Sequence, residues 1–256
     1  VADTSGRESR SRVEAMMQPV PHRSDGGIRV LDTDGIAIAE GRRANEQSAP
    51  KWEISRTEGV ALVGDIRIHN GDEVRSRFGR AERSVGTDDR DLVIAAYLHL
   101  GLRGVLNLID GDFAFVLWDS RSNQVIAIRD PFGVKPLVYS RTAGRLLLAS
   151  EVKQIAWTEQ HSPTIDHQSL LEFIRYDFRS HDRSFVAGVN RLPPGHYLRW
   201  IDGSIDIVRY WEPTYQTAPG PNNDLAGAFR ERLITSVGRR ALHGQRVVSQ
   251  LSGGLV

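Results

Sequence analysis

Residues that could bind phosphate stand near the end of the chain, whereas a thiol nucleophile is missing. Residues 246–251 have the composition of a strand, and they run into Ser252-Gly253-Gly254. Glycines at such a turn let backbone N–H groups approach a phosphate closely. None of the 256 residues is cysteine. These residues therefore contain no thiol nucleophile, no disulfide and no thiolate metal site.

The histidines and the charge balance exclude several other kinds of chemistry. The eight histidines show neither HExxH nor facial-triad spacing, so we predict no metal site. The histidines considered as ligands are His161, His167, His181, His196 and His243. A net charge of +1 lacks the basic excess of a nucleic-acid binder. No long apolar run or signal peptide is evident, so we expect no membrane partner and a cytoplasmic location.

Short apolar runs separated by turn residues predict a protein rich in antiparallel strands. The strands are expected at residues 35–39, 59–68, 112–119, 124–129, 137–140, 146–149, 197–200 and 205–210. Helices are expected at residues 12–17, 88–100, 169–176 and 225–242, where apolar residues recur at helical spacing or the composition is helical. Residues 214–223 are rich in Pro, Gly, Asn and Thr and predict a linker.

Six sequence blocks, in this order, resemble the asparagine synthetase superfamily. They are GDFAFVLWD (111–119), AIRDPFGVKPL (127–137), ASEVK (149–153), RLPPGHYL (191–198), RYW (209–211) and LSGGL (251–255). Any single block could be an ordinary core strand or tight turn. The ordered set is much more specific, and the resemblance extends from the first helix to the last residues.

The resemblance implies two domains. Residues 1–213 would form a type 2 glutamine-amidotransferase-like domain of the α+β class, with the αββα sandwich of antiparallel sheets found in amino-terminal-nucleophile hydrolases. After the linker at 214–223, residues 224–256 would supply the first helix and strand of a truncated α/β ATP-pyrophosphatase domain. Ser252, Gly253 and Gly254 would open its phosphate loop. Val256 stands where the family has Asp. The resemblance implies that the longer enzyme uses ATP and Mg. Because the loop is incomplete here, we expect neither to bind fully to this chain.

The glutaminase chemistry of the family depends on an amino-terminal cysteine and on an Asn-Gly pair that holds the oxyanion. Val1-Ala2-Asp3 resembles the family sequence just after the first strand, so the nucleophile either precedes Val1 or never existed. The family segment NGEIYN reads VGDIRI here, with Val63 in place of Asn and Gly64 retained. Since valine has no hydrogen-bond donor, we predict no catalytic residues and no glutamine hydrolysis.

Two residues match the glutamine pocket of the family. Arg43 aligns with the arginine that clamps the α-carboxylate, and Asp89 aligns with the acid that accepts the α-amine. Both also have ordinary interpretations, because paired arginines in loops and acids at helix starts are common. The loop that reads HRGPDG in the family is altered here to residues 22–27, HRSDGG.

The resemblance leaves three functions open. The first is the amino-terminal part of an ATP-dependent, amide-bond-forming enzyme whose amidotransferase domain is a scaffold, as in members resembling β-lactam synthetases and lasso-peptide cyclases. The second is a glutamine-hydrolysing asparagine synthetase. The third is a non-catalytic interaction module of the same fold. The longer enzyme would act on a small-molecule or peptide carboxylate, and a homodimer or a partner subunit remains open.

Two structural expectations follow. Phe113, Phe115, Leu117, Val125, Ala127 and Ile66 should lie in strands whose inward-facing members line the core. In the RDPFGVKP segment, Arg129 and Asp130 should hydrogen-bond neighbouring backbone, and Gly133 should adopt a conformation that is costly for other residues.

Overall fold

The computed structural model describes residues 1–4, 9–33, 35–44, 55–78, 88–142, 144–158, 163–215, 224–241 and 248. The chain divides into two compact units, Val1–Glu212 and Pro213–Val256. Ser252, Gly253, Gly254 and the strand expected at 246–251 lie outside the described residues, as does most of the expected linker.

The first unit contains twelve described strands and five described helices. The strands are β1 (Ala2–Asp3), β2 (Ile28–Thr33), β3 (Ile36–Gly41), β4 (Ser55–Thr57), β5 (Val60–Ile68), β6 (Gly111–Asp119), β7 (Gln124–Arg129), β8 (Val138–Thr142), β9 (Arg145–Ala149), β10 (Asn190–Arg191), β11 (His196–Ile201) and β12 (Ser204–Arg209). The helices are α1 (Ser9–Met17), α2 (Gly71–Ser76), α3 (Asp89–Leu108), α4 (Val152–Ala156) and α5 (His167–Arg175), with a 3₁₀ turn at Pro21–Arg23.

The strands form two six-stranded sheets in which every neighbouring pair is antiparallel. The first sheet has the order β10-β8-β9-β1-β3-β2, and the second has the order β12-β11-β7-β6-β5-β4. The short strand β1 lies in the interior of the first sheet, with Ala2 opposite Ile38 and Leu148. The expectation that Val1-Ala2-Asp3 lies after a strand is therefore wrong, because Ala2 and Asp3 lie within one.

Three apolar layers separate four layers of secondary structure. Side chains such as Ile38, Ala127 and Leu148 fill the space between the two sheets. Phe113, Phe115 and Leu117 face the other way and pack under α3. A third cluster joins α1 and α4 to the outer face of the first sheet. The expected αββα sandwich is confirmed, and all six named core residues lie in strands β5, β6 and β7.

Helix α3 consists of two helical segments that meet at Gly101. The backbone of Gly101 is non-helical, with a φ of 66° and a ψ of 179°. The segment before it agrees with the helix expected at residues 88–100, and a second segment continues to Leu108. Among the described residues α3 is also the one helix long and apolar enough to cross a membrane. Leu92, Ile94 and Val105 are instead buried against the second sheet, which makes α3 a core helix of the sandwich.

The segment after β7 is a tight turn held by its own side chains. Arg129 donates hydrogen bonds of 2.7–2.9 Å to three carbonyl oxygens, those of Gly133, Lys135 and Leu192. The Asp130 carboxylate accepts three backbone N–H bonds of 2.9–3.1 Å. Gly133 has a φ of 65°, a region that disfavours a Cβ. The structural role expected for this turn is confirmed.

The described part of the second unit is the helix α6 (Leu225–Arg240). The side chain of Asp224 caps it by accepting from the N–H of Gly227 at 2.8 Å. Its apolar residues Leu225, Phe229, Leu233, Ile234 and Val237 are all at least half exposed. The assignment of this unit to an ATP-pyrophosphatase domain stays a proposal.

Candidate functional site

A polar cavity of about 560 Å³ lies in the first unit at the end of β3, the middle of β5 and the start of α3. Its wall includes four residues singled out from the sequence, which are Arg43, Val63, Gly64 and Asp89. Val1 also lies at this wall. The fold thus brings these residues into one site although they are spread over nearly ninety positions of the chain.

Val63 extends the apolar core to the wall of the cavity. It lies on β5 opposite Val116 of β6, is only 4% exposed and belongs to the cluster between the sheets. An isopropyl group there can neither donate to nor accept from a ligand. Val63 therefore gives this part of the cavity wall an apolar side chain.

Gly64 is explained by the close approach of the neighbouring strand. A Cβ at this position would lie 2.4 Å from the carbonyl oxygen of Ala114 and 2.5 Å from the Cβ of Phe115. Such contacts are too short for any side chain. Packing alone accounts for the retained glycine, so its presence is no evidence for catalysis.

Asp89 and Arg43 differ in the hydrogen-bond partners that their side chains already have within the protein. Asp89 is in the first turn of α3, and its Oδ2 accepts the N–H of Ile68 at 2.9 Å. Burial is the main cause that raises the pKa of Asp89, and the neighbouring Asp88 adds to it. Arg43 is exposed and makes no hydrogen bond or ion pair with the residues that the structure describes. Arg43 therefore has a guanidinium that is available to pair with a ligand carboxylate.

An ion pair that no sequence pattern indicated lies at the same cavity. Glu40 at the end of β3 accepts from Arg90 of α3, with Oε1 and Nη1 2.5 Å apart, and Arg90 also approaches Asp88 at 3.5 Å. The other oxygen of Glu40 is buried and accepts no hydrogen bond from the described residues. Burial raises the pKa of Glu40 although Arg90 opposes the shift. A buried carboxyl of this kind in a cavity is a candidate functional group.

A second ion pair lies beside Gly64. The Nζ of Lys135 is 2.8 Å from Oδ1 of Asp65, the next residue of β5. It connects the RDPFGVKP turn to the strand that carries Val63. Both charges are satisfied within the protein.

The altered loop at residues 22–27 is held at the cavity by Glu151. The Glu151 carboxylate accepts from Arg23 and lies 2.8 Å from Nε2 of His22, while Lys153 approaches its second oxygen at 3.3 Å. Partial burial acts to raise the pKa of Glu151, but the hydrogen bonds from Arg23, His22 and Lys153 lower it to about 2. Because Arg23 lines the cavity, this carboxylate fixes part of the cavity wall.

We expect Glu151→Gln to remove a pH-dependent part of the stability. A carboxyl whose folded pKa lies below the unfolded value of about 4.3 stabilises the fold above that value and loses this contribution as pH falls towards 2. The difference in unfolding free energy between wild type and variant should be constant from about pH 7 to pH 5 and shrink between about pH 4.3 and pH 2. Urea titrations at several pH values measure it. Asp206→Asn, at an exposed pair with Arg199, is the control, and a difference that is flat down to about pH 2.5 would contradict the assignment.

Comparisons with known proteins agree with this geometry. The family model described as a glutamine amidotransferase domain matches residues 2–211. Amidase chyE of Penicillium rubens is 34% identical over 208 residues, which cover 77% of this chain and 29% of that protein. A putative glutamine-hydrolyzing asparagine synthetase of Mycobacterium bovis is 30% identical over 206 residues, covering 76% and 31%. The chain thus spans about three tenths of the length of these relatives.

A solved structure shows the same fold at low sequence identity. Glutamine phosphoribosylpyrophosphate amidotransferase from B. subtilis superposes with a TM-score of 0.60 at 14% identity, over 83% of this chain and 49% of that one. The two facing antiparallel sheets, the cavity lined by residues of β3 and β5, and the match over residues 2–211 lead to one assignment. This chain belongs to the glutamine amidotransferase domain family, in the group related to the amino-terminal domains of asparagine synthetases.

Proposed function

We propose that this chain is the amino-terminal part of an ATP-dependent, amide-bond-forming enzyme, and that its amidotransferase domain is a scaffold that does not hydrolyse glutamine. The observation that carries the proposal is Val63. It stands at the cavity wall, where the family uses an asparagine donor, and it packs into the apolar core. Loss of one oxyanion donor typically lowers the rate by about a hundredfold to a thousandfold.

The synthetase half of the proposal draws on the relatives and on the sequence that follows residue 213. Several relatives are named glutamine-hydrolyzing asparagine synthetases, and about seven tenths of their length lies outside the match. The sequence Ser252-Gly253-Gly254 resembles the start of the phosphate loop of the asparagine synthetase superfamily. ATP and Mg would be used there, in the longer enzyme. Without glutamine hydrolysis, the amine would come from the substrate itself, from a second amine or from free ammonia.

A glutamine-hydrolysing asparagine synthetase is the second candidate, and the cavity favours it. Arg43 has no partner among the described residues and is free to hold a carboxylate. A pocket that keeps this cation is compatible with a bound amino acid. The two candidates differ in whether glutamate is released.

The test uses the polypeptide that the complete gene encodes, assayed with ATP, Mg²⁺ and a panel of carboxylates. We expect release of pyrophosphate that depends on the carboxylate and is unchanged by glutamine, with glutamate formation at background. A glutamine-hydrolysing asparagine synthetase serves as the positive control for the glutamate assay. Glutamate formed in proportion to pyrophosphate would overturn the scaffold and establish the second candidate.

A further inference from the structure

Helix α5 exposes its apolar face and buries polar residues, the opposite of what a core helix does. The two residues that it buries are polar, Ser169 and Glu172. Its large apolar residues point outwards, with Phe173 53% and Ile174 64% exposed. An amphipathic helix normally turns its apolar face to the core. In α5 the apolar face is uncovered within the part of the first unit that the structure describes.

The residues around α5 extend this face into an aromatic platform. We define the platform as Leu171, Phe173, Ile174, Tyr176, Phe178 and Phe185, each at least 45% exposed. The ring of Phe173 lies 5.4 Å from that of Phe185 and 6.2 Å from that of Phe178. Contiguous exposed apolar patches of this kind mark interaction surfaces more often than isolated apolar residues do.

Hydrogen bonds to the buried Glu172 side chain hold the platform in place in the described first unit. The Glu172 carboxylate accepts from Gln168 at 2.9 Å and from the backbone N–H and the hydroxyl of Ser180 at 3.0 and 2.8 Å. These hydrogen bonds hold the segment that follows α5 against the helix. Tyr176 ends α5 in the left-handed region, with a φ of 54°, although it is 88% exposed. This conformation ends the helix, with the N–H of Asp177 donating to the carbonyl oxygen of Glu172 at 3.0 Å.

We propose that the platform is the docking surface for the synthetase part of the same polypeptide, beyond residue 256. The inference rests on the proposed function, which places that part in the longer enzyme. About seven tenths of each related protein lies outside the match, so a covering element is available in the same molecule at high effective concentration. Rigid exposed aromatics suit such a contact, because little side-chain entropy is lost when they are covered.

The absence of cysteine from the 256 residues gives a direct test. A thiol introduced by Ile174→Cys is the only thiol in this chain, and its reaction with a maleimide reports whether the platform is covered. Leu100→Cys, at an apolar helix residue of α3 that is 47% exposed, is the matched control. Both variants are made in the 256-residue chain and in the polypeptide that the complete gene encodes, and labelled peptides are quantified by mass spectrometry.

We expect Cys labelling at position 174 to be at least about tenfold slower in the complete polypeptide than in the 256-residue chain. Labelling at position 100 should be the same in both. Equal rates at position 174 would overturn the proposal. Labelling of the 256-residue chain that slows with rising protein concentration would assign the platform to a second copy and would also overturn it.

The result separates this proposal from the proposed function. Labelling does not need ATP chemistry, and pyrophosphate release is measured on the same samples. Protection at position 174 without amide-bond formation would support docking and count against the proposed activity. Carboxylate-dependent pyrophosphate release with an unprotected residue 174 would support the proposed activity and count against docking.

Discussion

Replacing Val63 with asparagine should restore glutamine hydrolysis, but only in a chain that also carries an amino-terminal cysteine. The comparison uses two variants that place Met-Cys ahead of Val1, one of them with Val63→Asn. We expect glutamate release at background from the variant that keeps valine and a rate about a hundredfold to a thousandfold higher from the variant with asparagine. The cysteine is placed immediately before Val1 because Val1 lies at the cavity wall.

The physical reason lies in what each change supplies. The cysteine supplies a thiolate and a terminal amine, which no other residue of this chain combines. The asparagine supplies the amide N–H that valine lacks.

Val63→Ala with Met-Cys is the control, since it opens space without adding a donor, and its glutamate release should stay at background. Circular dichroism checks that asparagine is tolerated at a position only 4% exposed. Robust hydrolysis from Met-Cys alone would show that the oxyanion site is complete with valine, and the scaffold proposal would be wrong.

The strands that the sequence predicts best are those whose neighbours in the chain are also their neighbours in the sheet. Residues 112–119 and 124–129 alternate and are joined by a tight turn, and they pair as β6 and β7. Local patterns did not predict the strands β1, β2, β4 and β10 or the helices α2 and α4. Strand β1 has two residues and exists because β3 and β9 flank it. Its stability comes from distant partners, which no local pattern reports.

The candidate site was predictable only in part, for a similar reason. The resemblance located Arg43, Val63, Gly64 and Asp89, all of which line one cavity. It did not locate the pair between Glu40 and Arg90, which are 50 positions apart. Ion pairs between distant residues leave no periodic signal. The acidic Glu40 at the end of an otherwise apolar strand was the one available hint, because a charged residue beside buried positions needs a partner.

The exposed face of α5 shows a third limit. Its sequence predicts a helix at residues 169–176, and the structure has one at His167–Arg175. The apolar pattern by itself favours a buried face at Leu171, Phe173 and Ile174. The structure turns this face outwards because Glu172, on the opposite face, is buried against Ser180. A hydrophobic pattern predicts that a face is to be covered, but not by which part of the molecule.

Asp130→Ala should lower the free energy of unfolding by about 3–5 kcal/mol, the largest loss we expect from a single polar substitution. Asp130 is 1% exposed, and its Oδ1 accepts the N–H groups of Phe132 and Val134 while Oδ2 accepts that of Lys135. Alanine leaves these three donors without their acceptor and removes the negative charge beside the half-buried Arg129.

Asp130→Asn should lose less, because its amide oxygen can keep the two bonds made by Oδ1. Asp206→Ala, at an exposed ion pair with Arg199, should cost no more than about 1 kcal/mol. Guanidinium titrations of the three variants measure the order, and an Asp130→Ala value within about 1 kcal/mol of wild type would show that the turn does not depend on this carboxylate.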